Sequence, residues 1–364
     1  MPEEKNKDKE KSLLVLSAPP HIKAGDSINK IMWTVVAVLM LPSVYSIYIF
    51  GFHAALILLT SVVSGVSAEA AFQYFMKREI KVKNGSSVIT GLLVGMNVPP
   101  NAPIWMTAIG TIFAVIIVKE LFGGLGYNIF NPALAGRAFM MASWPIHMTT
   151  NWHSFPSGAV FAEKIIPAGN IPNEIFNIIT QATPLTALKE SSRLMQEYNI
   201  PFDSLYSFLI KNNIIKSLLM GNVGGCIGET SVLLIFIGGL ILIFRRIITW
   251  HIPVSFIGSI AIVSYLYYYF LGFTHPGFVA LLHIFSGGIF LGAFFMATDM
   301  VTSPVSVTGM IIFGIGCGLL TFTIRVLGGY PEGVSYSILI MNAAVPLIDR
   351  FTKPAIFGVS KERL

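Results

Sequence analysis

Apolar runs separated by short polar or Gly/Pro breaks lie near residues 31–50, 53–75, 87–98, 104–122, 129–146, 222–244, 252–271, 277–297, 306–327 and 333–348. A membrane-spanning helix takes roughly 20 apolar residues, so the pattern predicts about ten spans. One long hydrophilic stretch, near 147–220, interrupts the series between the fifth and sixth runs.

Composition changes this from a pattern into a class. Of 364 residues, 54% are hydrophobic and 12% charged, where soluble domains carry about 25% charge. Mean hydropathy is +0.71, and eleven of the charged residues fall within residues 1–30. A soluble enzyme, a disordered chain and a disulfide scaffold are excluded. The net charge of +6 lacks the basic and aromatic interleaving of a nucleic-acid interface, and no nucleic-acid partner is expected. The polar, mixed-charge N-terminus also reads as no cleavable signal peptide.

Lys and Arg placement supplies an orientation, since cytoplasmic loops are enriched in both. With a cytoplasmic N-terminus, inside segments hold 17 of them and outside segments six: Lys164, Lys189, Arg193, Lys211, Lys216 and Arg325. Arg137 lies within a span. Both termini are then cytoplasmic, and the long loop faces outward. The expected divisions are a cytoplasmic segment (1–30), a first five-helix repeat (31–146), an extracytoplasmic loop (147–220), a second five-helix repeat (221–348) and a cytoplasmic tail (349–364). An odd number of spans per half forces the halves into opposite orientations. The sequence echoes this: GLLVGMNVPP (91–100) precedes a span and GGLGYN (123–128), while LGAFFMATDMVTSP (291–304) precedes a span and GGYPEG (328–333). Paired Gly/Pro-interrupted segments of this kind point to a central site between inverted repeats.

Ionisable groups within spans are expensive and default to functional candidates: Glu69, Glu120, Arg137, Glu229, Asp299, Glu332 and Asp349. Glu120, Asp299 and Glu229 are the ion-pathway candidates. For Glu120 the alternative is a local ion pair with adjacent Lys119; Asp349, beside Arg350, reads as interfacial. Cys226 and Cys317 read as small buried hydrophobes, and the seven histidines show no ligand spacing, so no metal site is expected. No catalytic triad, phosphate loop or dinucleotide fingerprint appears. In the outer loop, Thr183-Pro184 reads as an N-cap with Pro at the first helical position; a phosphate esterified to the Thr183 hydroxyl would meet free backbone N–H groups there. Asn131-Pro132 is open to the same helix-start reading.

The runs KELFGGLGYNIFNPALAGRAF (119–139), QATPL (181–185), GNVGGCIGETS (221–231), RRIITWHIP (245–253), GAFFMATDMVTSP (292–304) and GGYPEG…NAAVPLID (328–349) together resemble the D subunits of Rnf electron-transport complexes. The related B subunits of Na⁺-translocating NADH:quinone oxidoreductases share the pattern but commonly carry a longer N-terminal extension, whereas the first span here begins near residue 31. The resemblance implies an all-α polytopic membrane protein, urea-transporter-like in its two inverted five-helix repeats. It implies a redox-driven ion translocase complete only with its partner subunits, passing electrons between ferredoxin and NAD⁺ coupled to Na⁺ or H⁺ movement, in a prokaryotic inner membrane. It implies FMN joined by a phosphoester to Thr183, installed by an extracytoplasmic flavin transferase. Thr180, Ala182 and Thr183 match the attachment pattern; Asn177 and Gln181 depart from its acidic residue and glycine. Asn128 and Asn131 match positions lining a second, non-covalent flavin (riboflavin or FMN), and Arg137 either balances its reduced, anionic form or pairs with a carboxylate. The competing class is a flavin-free permease with inverted repeats.

Overall fold

A computed structural model describes residues 27–149, 214–221, 224–329 and 332–353. Thr183 and the remainder of its predicted helix lie outside these residues, as do the chain ends 1–26 and 354–364.

Helix α1 (Ile28–Phe50) begins where the polar tail ends, with the Ser27 hydroxyl accepting from the Lys30 N–H at 3.2 Å, a side-chain cap for a donor that has no partner in the first turn. It stops at Gly51, whose φ of +82° is costly for any residue bearing a Cβ. The chain then turns directly into α2 (Phe52–Phe75). Three shorter helices follow: α3 (Ser86–Met96), α4 (Ile104–Phe113), which continues as a π-helical stretch over Ala114–Glu120, and α5 (Pro132–Ser143). The single-turn α6 (Pro145–Thr149) closes this half.

The second half contains α7 (Ile214–Met220), α8 (Val232–Phe244), α9 (His251–Phe270), α10 (Pro276–Phe285) and α11 (Ile289–Leu291), the last extended by a π-helical stretch over Gly292–Met296. It ends with α12 (Val307–Leu327) and α13 (Val334–Phe351). No strand occurs among the described residues.

Each of the ten apolar runs contains a helix, but five helices (α1, α2, α9, α12 and α13) have the length and composition of a full span. A sixth appears if α10 and α11 with its π stretch are taken as one span, bent by 60° at the break between them. The shortfall has local causes. Gly287 and Gly288 take φ of +72° and +63°, interrupting the 277–297 run. The 222–244 run is helical only from Val232, because Ile227–Glu229 forms a 3₁₀ turn. Pro132 and Pro145 confine α5 to twelve residues.

Small residues set how closely the helices approach. A Cβ on Gly314 would lie 2.9 Å from the Ile252 carbonyl oxygen, and one on Gly318 would lie 2.8 Å from that of Phe256. Two glycines four apart on α12 therefore let it lie directly against α9, the packing device of helices without a hydrophobic driving force between them. Likewise α3 meets α2 through Gly91, where a Cβ would sit 2.7 Å from the Ser61 carbonyl oxygen. A shared core containing Met96, Leu134, Ile227, Phe256 and Phe313 draws on both halves. Only 33–39% of each span window is buried within the chain, so most of each apolar helix surface is left for lipid or for other chains.

Candidate functional site

A cavity of about 140 Å³ lies where α1, α3, α5, α8 and the segments following the two π stretches converge. Its wall is mainly apolar, with polar groups from Ser86, Thr90, Lys119, Asn128, Asn131 and Asp299. Asn131 is held on two sides. Its Oδ1 accepts from the N–H groups of Ala133 (3.0 Å) and Leu134 (3.3 Å), capping α5, and its Nδ2 donates to the Met296 carbonyl at 3.1 Å. Asn128 donates from Nδ2 to the Phe130 carbonyl at 3.1 Å. Asp299, half-buried in the turn after the second π stretch, accepts from the Val301 N–H and the Thr302 hydroxyl, both at 3.4 Å.

One edge of the cavity is a buried charge cluster. Lys119 Nζ donates to Glu69 Oε1 (2.8 Å), Ser86 Oγ (2.7 Å) and Ser87 Oγ (3.1 Å), and Ser87 donates to the other Glu69 oxygen. All three ammonium donors are thus used. Lys119 and Glu69 are both almost wholly buried, where breaking an ion pair costs far more than at a surface. Lys119 therefore reaches α2 rather than its neighbour Glu120, contrary to the local pair considered from the sequence. Glu120 accepts from Gln73 Nε2 at 3.4 Å.

A second cluster joins the halves. Arg137 on α5 pairs with Glu332, donates to Asn97 Oδ1 at 3.0 Å and lies 3.7 Å from Cys226 Sγ. Close by, Asn342 on α13, with its amide turned to satisfy both ends, accepts from the Asn131 N–H and donates to the Thr302 carbonyl, each at 3.1 Å. Each break is thereby tied to a helix of its own half, Asn97 to α5 and Thr302 to α13, while the Asn131–Asn342 bond crosses between the halves.

The sequence model of the NQR2, RnfD, RnfE family matches residues 15–358. The chain belongs to this family. It is 43% identical over 348 residues, 96% of each chain, to the D subunit of the Na⁺-translocating ferredoxin:NAD⁺ oxidoreductase complex of Acetobacterium woodii. It is 41% identical over 353 residues, 96% of this chain and 98% of the relative, to the D subunit of the proton-translocating ferredoxin:NAD⁺ oxidoreductase complex of Clostridium ljungdahlii. The D subunit of the ion-translocating oxidoreductase complex of Stutzerimonas stutzeri is 37% identical over 336 residues, covering 91% of this chain and 92% of the relative.

In this family member the predicted residues separate into two groups. Asn128, Asn131 and Asp299 line the cavity, and Glu120 lies one residue beyond Lys119 at its edge. Arg137 and Glu229 belong instead to the cluster with Cys226 and Glu332. Asp349 accepts from the Val305 N–H at 3.1 Å. Arg325, counted from the sequence as an outer-loop charge, is a buried residue of α12, and Lys119, counted as an inner-turn charge, is equally buried. One charge thus leaves each side of the sequence count. Sequence reading missed Lys119, Ser86, Ser87, Asn97 and Asn342 as site residues. The signals that could have found them were a lysine inside an apolar run and the polar interruptions NGSS and NAAVP.

Proposed function

We propose that this chain is the D subunit of an ion-translocating ferredoxin:NAD⁺ oxidoreductase, carrying electrons across the membrane as part of a hetero-oligomeric complex. The observation that carries this reading is the end-to-end similarity to D subunits of such complexes, at 41–43% identity over 96% of the chain. FMN is held as a phosphoester on Thr183, attached by an extracytoplasmic flavin transferase, and a second flavin occupies the cavity beside Asn128 and Asn131. The two halves act as inverted repeats with both termini cytoplasmic.

The cavity's chemistry suits an isoalloxazine edge. Asn128 Oδ1 accepts no hydrogen bond from described residues, and one N–H of Asn131 Nδ2 remains after its bond to Met296. That leaves an acceptor and a donor, the complement of an imide. A bound flavin supplies electron transfer there. Lys119, paired with Glu69 and with its three donors committed, closes the cavity edge as a neutralised, fixed group. Asn131 fixes the wall by capping α5, and the apolar residues exclude water. Asp299, which lines the cavity, and Glu120, next to Lys119 at its edge, are the carboxylates assigned to a translocated cation.

The test is a denaturing gel of the chain co-expressed with a flavin transferase, viewed under ultraviolet light. A fluorescent band lost in Thr183→Ala supports the reading, and a dark wild-type band points to a flavin-free permease.

A further inference from the structure

We propose that Cys226, Glu229 and Glu332 form a binding site for a thiophilic divalent cation of the Zn²⁺ class. One donor atom from each residue lies within 4.8 Å of the other two. They come from the 3₁₀ turn region before α8 and the segment before α13, with Arg137 of α5 behind them. The site therefore spans both halves of the molecule.

Two buried oxygens there, Glu229 Oε1 and Glu332 Oε1, have no hydrogen-bond partner among the described residues, and Glu332 is only 7% exposed. Leaving such atoms unpaired is costly, and a cation would satisfy both. Arg137 donates to the other Glu332 oxygen and approaches Cys226 Sγ, the outer-shell arrangement that orients metal ligands. Glycines stand against Glu229: a Cβ on Gly225 would lie 2.7 Å from its Oε2, and one on Gly288 would lie 3.3 Å from its Oε1.

The donor set selects the ion. A thiolate disfavours Na⁺ and Mg²⁺, and two carboxylates disfavour Cu⁺, whereas Zn²⁺ accepts both types, often with three protein ligands and a water. Binding replaces the Cys226 S–H bond with an S–metal bond and releases the proton to water. Three anionic ligands then exceed the metal by one charge, which Arg137 supplies. The cysteine spacing pointed away from a metal because the other ligands are contributed by carboxylates, one of them over a hundred positions along the chain.

The purified full chain, stripped of metal, should be titrated with Cd²⁺ and followed by ultraviolet sulfur-to-metal charge-transfer absorption. The proposal expects one equivalent bound, displaced by Zn²⁺, with the band kept in Cys317→Ser and abolished in Cys226→Ser. Glu229→Gln, which retains the thiol, should weaken binding at least tenfold. The melting temperature should rise with the logarithm of Zn²⁺ concentration in the wild type and Cys317→Ser but not in Cys226→Ser, because the ion binds the folded state. An absent band, a band that survives Cys226→Ser, or unchanged affinity in Glu229→Gln overturns the proposal. So does an equal Zn²⁺ stabilisation of wild type and Cys226→Ser.

Discussion

Each half buries one basic side chain near the C-terminal end of a membrane helix, but the two are neutralised by different means. Lys119, at the end of the first π stretch, is met by the Glu69 carboxylate and two serine hydroxyls. Arg325, near the end of α12, donates to the carbonyls of His283 (2.6 Å), Ser286 (2.9 Å) and Gly287 (2.9 Å), where α10 breaks off. Backbone carbonyls left free at a helix C-terminus carry fixed negative partial charge. The guanidinium thus occupies the position that a cation would otherwise take at that break. The Arg325 arrangement is a rivet made mainly of permanent dipoles, with the Glu229 carboxylate acting on it electrostatically and no direct ion pair among the described residues. The Lys119 arrangement is a direct ion pair with an ionisable carboxylate and borders the cavity.

Removing the rivet should have the largest effect. Arg325→Gln abandons charge-assisted bonds worth about 1.5–3 kcal/mol each and strands carbonyls in a buried break. A loss of at least about 4 kcal/mol is a large part of a typical total of about 5–15 kcal/mol. The variant should yield little monodisperse protein by size-exclusion chromatography in detergent, and a normal melting curve would mean that the carbonyls do not need the guanidinium.

Breaking the carboxylate pair should cost somewhat less, with a signature the rivet lacks. Glu69→Leu alone leaves a buried ammonium and should destabilise by about 3–5 kcal/mol. Glu69→Leu combined with Lys119→Met should recover most of that loss, since an apolar replacement of both partners is often close to neutral. Thermal melts of the wild type, both single variants and the double variant give the coupling; additive losses would show that the two residues act independently. The smallest effect on stability belongs to the cavity wall. Asn128→Ala removes a bond to the Phe130 carbonyl and one to the Asp299 side chain, about 1–2 kcal/mol in all, yet should lower co-purifying non-covalent flavin several-fold. Unchanged flavin content would remove Asn128 from the site.

The sequence made the long helices readable and left the clusters hidden, for a physical reason. Apolar length identifies α1, α2, α9, α12 and α13 because a span must satisfy its own backbone hydrogen bonds. The same signal overstates α3, α5 and α8, whose flanking glycines, prolines and polar residues spend apolar sequence on breaks and turns. Asn131-Pro132 disclosed its helix start locally, and the cap is formed as that pattern suggests. Pairings across the fold have no local trace: Glu69 and Lys119 lie 50 residues apart, and Arg137 and Glu332 lie 195 apart. Arg325 was read as a loop charge because its carbonyl partners belong to a bend, and a bend's exposed carbonyls leave no mark in hydropathy. The choice of ion is equally hidden, since relatives at 43% and 41% identity are named for Na⁺ and for protons.

The proposed electron-carrying role depends above all on the proposed covalent FMN at Thr183. Peptide mass spectrometry of the chain co-expressed with a flavin transferase tests this directly. Covalent attachment should give a Thr183-containing peptide heavier by one FMN less one water, with fragment ions placing the group on Thr183. A fully unmodified peptide, or FMN attached at another residue, would contradict it.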